Sequence, residues 1–171
     1  MCPHGVNIVF FIDADEQSVG VNEEWGFSGN RLYENDGDGN FTDVTDAAGI
    51  RMGDWGGGSC FVDFNNDTNQ DLFHVNGYLA QRFSSPDYEE TQFDFDPAHM
   101  FISNGDKTFT DEAVELGIND TGQGRAILCF DNDRDGDLDI LINNSNGPSR
   151  YFRNNLNCSP STIVGQNKGF E

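Results

Sequence analysis

Positive charge is what this sequence has least of. Lys and Arg number 9 against 30 Asp and Glu, for a net charge of −21. Binding to nucleic acid depends on basic residues meeting phosphate, so that class of partner is excluded. Anionic membrane surfaces are excluded on the same ground. Long apolar runs are also missing, and no stretch is long enough to span a bilayer. Met1-Cys2-Pro3-His4-Gly5 lacks a basic n-region, and Ile8 to Ile12 is too short for an h-region, so no signal peptide is expected. The first residues read as an interior start. Sustained helical periodicity is absent; Asp111 to Leu116 offers one turn.

Cysteine is scarce and scattered. Cys2, Cys60, Cys129 and Cys158 have no metal-type spacing. Cys60 and Cys129 fall inside predicted strands and are expected as buried free thiols. A disulfide stays open if the protein is secreted, but sequence alone does not give connectivity.

What is present is aromatic and turn-rich. The chain has 15 Phe and 20 Gly. Apolar residues recur in short runs, which separates the chain from a disordered acidic tail. Short strands punctuated by Gly, Asn and Asp give an all-β reading.

The stretch Asp131-Asn132-Asp133-Arg134-Asp135-Gly136-Asp137-Leu138-Asp139 organises the rest. Aspartates occupy positions 1, 3, 5, 7 and 9, with Gly136 at position 6. Alternate carboxylates of a tight turn converge, which suits a hard cation such as Ca²⁺ with its six to eight oxygen ligands. Glycine supplies the positive φ of the sharp turn. Asp, Gly and Asn clusters also make ordinary solvated turns, so a second copy is needed to decide.

That copy exists. Asp63-Phe64-Asn65-Asn66-Asp67-Thr68-Asn69-Gln70-Asp71 precedes it by 68 residues (131 minus 63). Phe41 and Phe109 share the same step, as do Gly49 and Gly117. Leu32 to Glu34 and Phe41 to Val44 read as a hairpin around Asp36-Gly37-Asp38-Gly39, whose Asp spacing fits a turn better than a metal loop. Met100 to Asp111 repeats that hairpin, and Arg150 to Asn155 begins a third. Each unit is strand, acidic loop, strand, connection, strand, Gly-rich turn, strand, the arrangement of a propeller blade. The polar connection from Asn76 to His99 is expected to be an excursion over one face, with Glu89, Glu90, Asp94 and Asp96 as solvated charges. Asp13 and Asp15 read as an eroded loop without metal.

In the second loop Asp131, Asp133, Asp135 and Asp139 are expected as side-chain ligands, with the carbonyl of Asp137. In the first the set is Asp63, Asn65, Asp67 and Asp71, with the carbonyl of Asn69. The first loop has one carboxylate fewer and puts Thr68 where Gly136 sits. A β-branched residue at positive φ costs on the order of 1–2 kcal/mol, so the strain is expected to move to Asn69 and the first site to bind more weakly. An EF-hand is excluded, because position 12 is Ile142 and the flanks are strands. Gly56-Gly57-Gly58 is not followed by a calcium-binding nonapeptide pattern. Mg²⁺ is a poorer match for an all-protein oxygen cage.

These phrases resemble the FG-GAP/VCBS repeats of integrin-α-type β-propellers. More narrowly they resemble the cartilage acidic protein group, whose repeats precede an ASPIC/UnbV domain. The resemblance rests on Leu32-Tyr33-Glu34-Asn35 with Gly37, Gly39 and Phe41, on 131–139, on His74-Val75-Asn76-Gly77-Tyr78 and on Asn143 to Pro148. It implies Ca²⁺ in the loops, an extracellular or cell-envelope setting, adhesion or matrix contact, and no catalysis. The expected fold is therefore all-β, a partial β-propeller of about two to three four-stranded antiparallel blades. Residues 1–29 are a degenerate or partial blade, 30–50 the outer hairpin ending the first blade, and 51–118 a complete repeat. Residues 119–157 start the next repeat and 158–171 form an irregular tail. A closed propeller needs at least about four blades, so the chain is expected to be a fragment with further blades elsewhere.

The expected partner is a protein or glycan met by the top-face loops, including 77–98. Two rival readings are a propeller-based lectin or hydrolase and a truncated repeat with no ligand. No carboxylate pair stands out for acid–base work. His4, His74 and His99 look isolated, and Ser59 and Ser103 lack a nucleophile-elbow context. Glycosylation patterns at Asn40, Asn66, Asn119, Asn143 and Asn157 read as coincidence in an Asn-rich chain.

Overall fold

The computed structural model describes residues 8–11, 29–77, 95–145, 147–156 and 164–166. The expectations for Asp13 and Asp15, for most of the 77–98 excursion and for most of the tail lie outside them.

Three antiparallel sheets are built from strands that follow the chain. The first has β1 (Ile8–Phe11), β2 (Arg31–Asn35) and β3 (Phe41–Asp43) in that order. The middle sheet runs β4 (Gly56–Val62), β5 (Asp71–Asn76), β6 (His99–Ser103), β7 (Phe109–Asp111). The third runs β8 (Gly124–Phe130), β9 (Asp139–Asn144), β10 (Arg150–Arg153), β11 (Val164–Gln166). Each acidic loop joins the first two strands of its sheet.

The hairpins form as their turn chemistry dictates. Gly37 and Gly39 take φ of 89° and 92°. Asp36 Oδ1 accepts the backbone N–H groups of Asp38 and Asn40, so its carboxylate serves the turn. A one-turn helix α1 (Thr45–Ala48) follows β3 and ends at Gly49 in the left-handed region. Its counterpart is the turn where Ile118 donates to Ala113 O. The expectation of a single turn near 111–116 thus misses the first copy.

Strand alternation divides the core in two. Leu72 and Phe101 of the middle sheet pack with Leu32, Ala48 and Ile50 of the first unit. Phe73, Val75 and Met100 point the other way, onto Ile140, Ile142 and Phe152 of the third sheet. Every residue of β5 is buried, its polar Asp71, His74 and Asn76 included, so both faces of this strand are covered. The sheets therefore stack face to face.

Inner strands β4 and β8 approach closely. A Cβ on Gly57 would collide with the carbonyl oxygen of Gly124, and one on Gly124 with the Val75 side chain. The close approach therefore requires glycine at positions 57 and 124. Beside them Cys60 and Cys129 form a disulfide, with Cα atoms 6.8 Å apart, which overturns the free-thiol expectation. The reason is register. Their separation is 69 residues, one more than the repeat step. A one-residue offset turns a strand side chain to the opposite face, so the two cysteines face each other across the stack.

Two further expectations change. Asp96 is buried and accepts the backbone N–H of Trp55 at 3.2 Å, so it is not a solvated loop charge. His74 and His99 are not isolated: β5 and β6 pair them directly across the sheet.

Candidate metal centre

The two acidic loops share a common set of hydrogen bonds. Asp131 Oδ1 accepts Asp135 N at 3.2 Å, and Oδ2 accepts Gly136 N at 3.1 Å. Asp63 Oδ1 accepts Asp67 N at 3.1 Å, and Oδ2 accepts Thr68 N at 2.9 Å. Asp135 then accepts Asp137 N, as Asp67 accepts Asn69 N. The bond from Asn69 is the largest influence on the Asp67 carboxyl and holds it below its ordinary value.

Backbone conformation repeats too. Asn66 and Arg134 have φ of 58° and 64°, and Thr68 and Gly136 have 75° and 95°. Thr68 therefore adopts the left-handed region itself, and the expected transfer of strain to Asn69 does not occur. Thr68 N–H must face the Asp63 carboxylate, and that bond fixes the loop at Thr68.

The ninth-position aspartates are buried clamps. Asp71 accepts Phe64 N and Ser103 N, both at 2.9 Å. Burial raises its carboxyl, opposed by those two N–H donors. Asp139 accepts Asn132 N at 3.1 Å, Tyr151 Oη–H at 2.7 Å and Asn154 N at 2.8 Å. Burial, then the Asp139 hydrogen bond, pushes the Tyr151 phenol up to about 12. Each clamp ties the loop to the third strand of its own sheet.

At the seventh position Asp137 is buried, and its Oδ1 accepts Asn66 Nδ2 from the other loop at 2.8 Å. Asn154 Nδ2 donates to Phe64 O at 2.8 Å, tying the first loop to the residue that follows β10. Sequence reasoning missed Asn66, Asn154, Tyr151 and Arg153. The only signal for Asn154 and Arg153 was their place at the end of a third strand.

Positions 1, 3 and 5 converge. Asp131, Asp133 and Asp135 each bring one carboxylate oxygen within 4.8 Å of the others. Asp131 is exposed, and the side chains of Asp133 and Asp135 are partly buried. Three hard oxygen donors on a loop that also carries carbonyls match Ca²⁺ in donor type. The first loop offers Asp63 and Asp67 at the outer positions. Between them Asn65 spends its amide on Asp67, through Nδ2 to Oδ2 at 3.1 Å. Asp71 and Asp139 lie outside the converging group. Arg153 Nη2 contacts Asp133 Oδ2 and lies 3.6 Å from Asp135 Oδ2.

A second polar cluster joins β5, β6 and β7. His99 Nδ1 bonds Asp111 Oδ2 at 2.6 Å, and Nε2 bonds Asp54 Oδ2 at 3.0 Å. Burial alone would lower His99, but the two aspartates outweigh it and raise it to about 9. Both ring nitrogens are therefore donors. His74 lies edge-on to His99 at 5.0 Å and is fully buried. Burial, then the neighbouring imidazolium, lowers it to about 3. With both nitrogens of His99 engaged, the cluster works as a charged clip between strands.

Stacked antiparallel sheets carrying an acidic loop between their first two strands define a partial β-propeller of repeat units. Residues 9–74 match the FG-GAP-like repeat family. Cartilage acidic protein 1 of Homo sapiens is 42% identical over 57 residues, covering 33% of this chain and 9% of that protein. The Xenopus tropicalis and Mus musculus proteins of the same name are 44% and 40% identical over the same length. The similarity thus reaches only a small part of those longer relatives. Among the described residues, no helix is long and apolar enough to cross a membrane.

Proposed function

We propose that this chain is a Ca²⁺-binding, non-catalytic segment of a β-propeller that serves adhesion or matrix contact outside the cell or in its envelope. The observation that carries the cation reading is the convergence of Asp131, Asp133 and Asp135 within 4.8 Å. When bound, the ion neutralises carboxylates that would otherwise repel one another across a short loop. The chain's own residues do the rest. Asp131 closes the loop on Gly136, and Asp139 clamps it to Asn154.

Other features support the setting. A disulfide between sheets suits an oxidising compartment. The relatives' printed name, cartilage acidic protein 1, fits a matrix role. The outer face of the third sheet presents Leu128 and Phe130, which are 60% and 36% exposed. Cys60 and Val62 at the matching places in β4 pack against the next sheet. A further blade is the natural cover for that face, and a protein or glycan is the partner class for the loops.

Thermal melts with Ca²⁺ and with a chelator test the proposal. At a hundredfold excess over Kd, the midpoint should rise by roughly 5–10 °C. The gain should shrink in Asp131→Asn. Identical midpoints in Ca²⁺ and chelator would remove the metal from the reading.

A further inference from the structure

The third strand of each complete sheet meets its acidic loop at the same place. Ser103 N–H donates to Asp71, and Asn154 N–H donates to Asp139. The residues just before these, Ile102 and Arg153, therefore correspond. Ile102 packs against the apolar core of the middle and third sheets. Arg153 turns its guanidinium onto the second loop, touching Asp133 Oδ2 and approaching Asp135 Oδ2 to 3.6 Å.

The two carboxylates it faces belong to the three that bring one oxygen each within 4.8 Å of the others. Asp135 Oδ1 already accepts Asp137 N, and Arg153 Nη2 lies on the side of its other oxygen, Oδ2. Asp131 spends both oxygens on backbone N–H groups. The pair is partly withdrawn from water: the Arg153 side chain is 39% exposed, and those of Asp133 and Asp135 are 25% and 22%. Solvent screens it less than a free surface pair. A guanidinium and a metal ion cannot occupy the same carboxylate oxygens at full strength.

We infer that Arg153 is a tethered cation that competes with Ca²⁺ for the Asp131–Asp139 loop and sets its affinity. The inference rests on the cation reading of that loop. It also alters the ranking drawn from carboxylate number. The second loop has more carboxylates but carries its own counter-ion, whereas the first has fewer and its repeat has the uncharged Ile102 at the position of Arg153. Arg153 acts here as an affinity-setting residue through charge and geometry, on a cation small enough to enter the loop.

Calorimetric Ca²⁺ titration of the full chain tests this, with Asp131→Asn used to assign the second-loop heat. Arg153→Ile installs the residue of the neighbouring repeat, and Arg153→Gln keeps the size without the charge. Both should bind Ca²⁺ at the second loop roughly threefold to tenfold more tightly than the parent chain. Both should also show a larger Ca²⁺-dependent shift in melting midpoint. Arg153→Lys keeps a charge without the planar fork and should fall between them and the parent. Weaker binding in Arg153→Gln, with an unaltered far-ultraviolet spectrum, would mean that Arg153 positions the carboxylates, and the inference would fail. Equal affinity in all variants would also overturn it. Absence of Ca²⁺ heat in the parent and in every variant would instead sink the cation reading beneath it.

Discussion

Asn66 and Asp137 join the two acidic loops. The Asn66 amide donates to the Asp137 carboxylate at 2.8 Å, from a loop of the middle sheet to a loop of the third. Asp137 is fully buried, so the bond lies where water replaces it poorly. Asn66→Ala should lower stability by about 1–2 kcal/mol. It should also reduce the response of the second loop to Ca²⁺. Chemical denaturation and Ca²⁺ titration of the variant check both.

The Cys60–Cys129 disulfide closes a long loop between neighbouring sheets. Cross-links of this kind restrict the unfolded chain and commonly contribute about 2–4 kcal/mol. Cys60→Ser should lower the midpoint accordingly. Alkylation without reductant, followed by peptide mass spectrometry, should find both cysteines protected. Modification of either in the folded, unreduced protein would contradict the bridge.

The histidine clip gives a pH optimum whose sign can be worked out. His99 is raised from 6.5 to about 9 by Asp111 and Asp54 against the effect of burial. Its contribution is fully present below about 6.5 and is lost as pH rises through about 9. His74 is lowered from 6.5 to about 3, so the folded state keeps it neutral where the unfolded chain takes up a proton. That penalty grows as pH falls below about 6.5. The Asp111 carboxyl feels burial first, which raises it, but its bond to His99 leaves it lowered, so its contribution is also lost in acid. Stability should therefore peak near neutrality. His99→Gln should flatten the alkaline limb, worth on the order of 1–3 kcal/mol, in denaturant titrations from pH 6 to 10. An alkaline limb of the same slope in His99→Gln would refute this assignment.

Gly124 is held by space. Its position leaves no room for a methyl group beside Val75. Gly124→Ala should destabilise by about 1–3 kcal/mol through overpacking. Adding Val75→Ala should recover part of the loss, because it removes the atoms in conflict. Gly39→Ala has open space but φ of 92°, so any loss there would come from backbone strain alone. A double variant no more stable than Gly124→Ala would show that side-chain crowding is not the cause.

Much of the fold was legible without coordinates because its signals are local or periodic. Gly37 and Gly39 mark a turn by their backbone freedom, and Leu32 to Glu34 with Phe41 to Val44 mark the strands it joins. The 68-residue step places Asp63 and Asp131 in one role, and the middle sheet has the four-strand order this step implies. The candidate site was only partly legible. Asp131, Asp133 and Asp135 do converge. Asp71 and Asp139, read by spacing as ligands, also have carboxylates that accept the backbone N–H groups of Ser103 and Asn154. Spacing within a loop says nothing of a strand that returns from far along the chain. The cysteine pairing was latent in the numbers, since 69 differs from the repeat step by one residue and so changes face.

By itself, then, the sequence determined the strand order, the hairpins and the acidic loops, because alternation, turn residues and repetition act over a few residues or at fixed intervals. The tertiary structure alone decided the contacts between segments distant in the chain: Asn66 on Asp137, Cys60 on Cys129, His74 against His99 and Arg153 over Asp133. These depend on cross-strand register and on how faces stack. Both are settled when buried side chains from distant segments must fit one another, which no local pattern records.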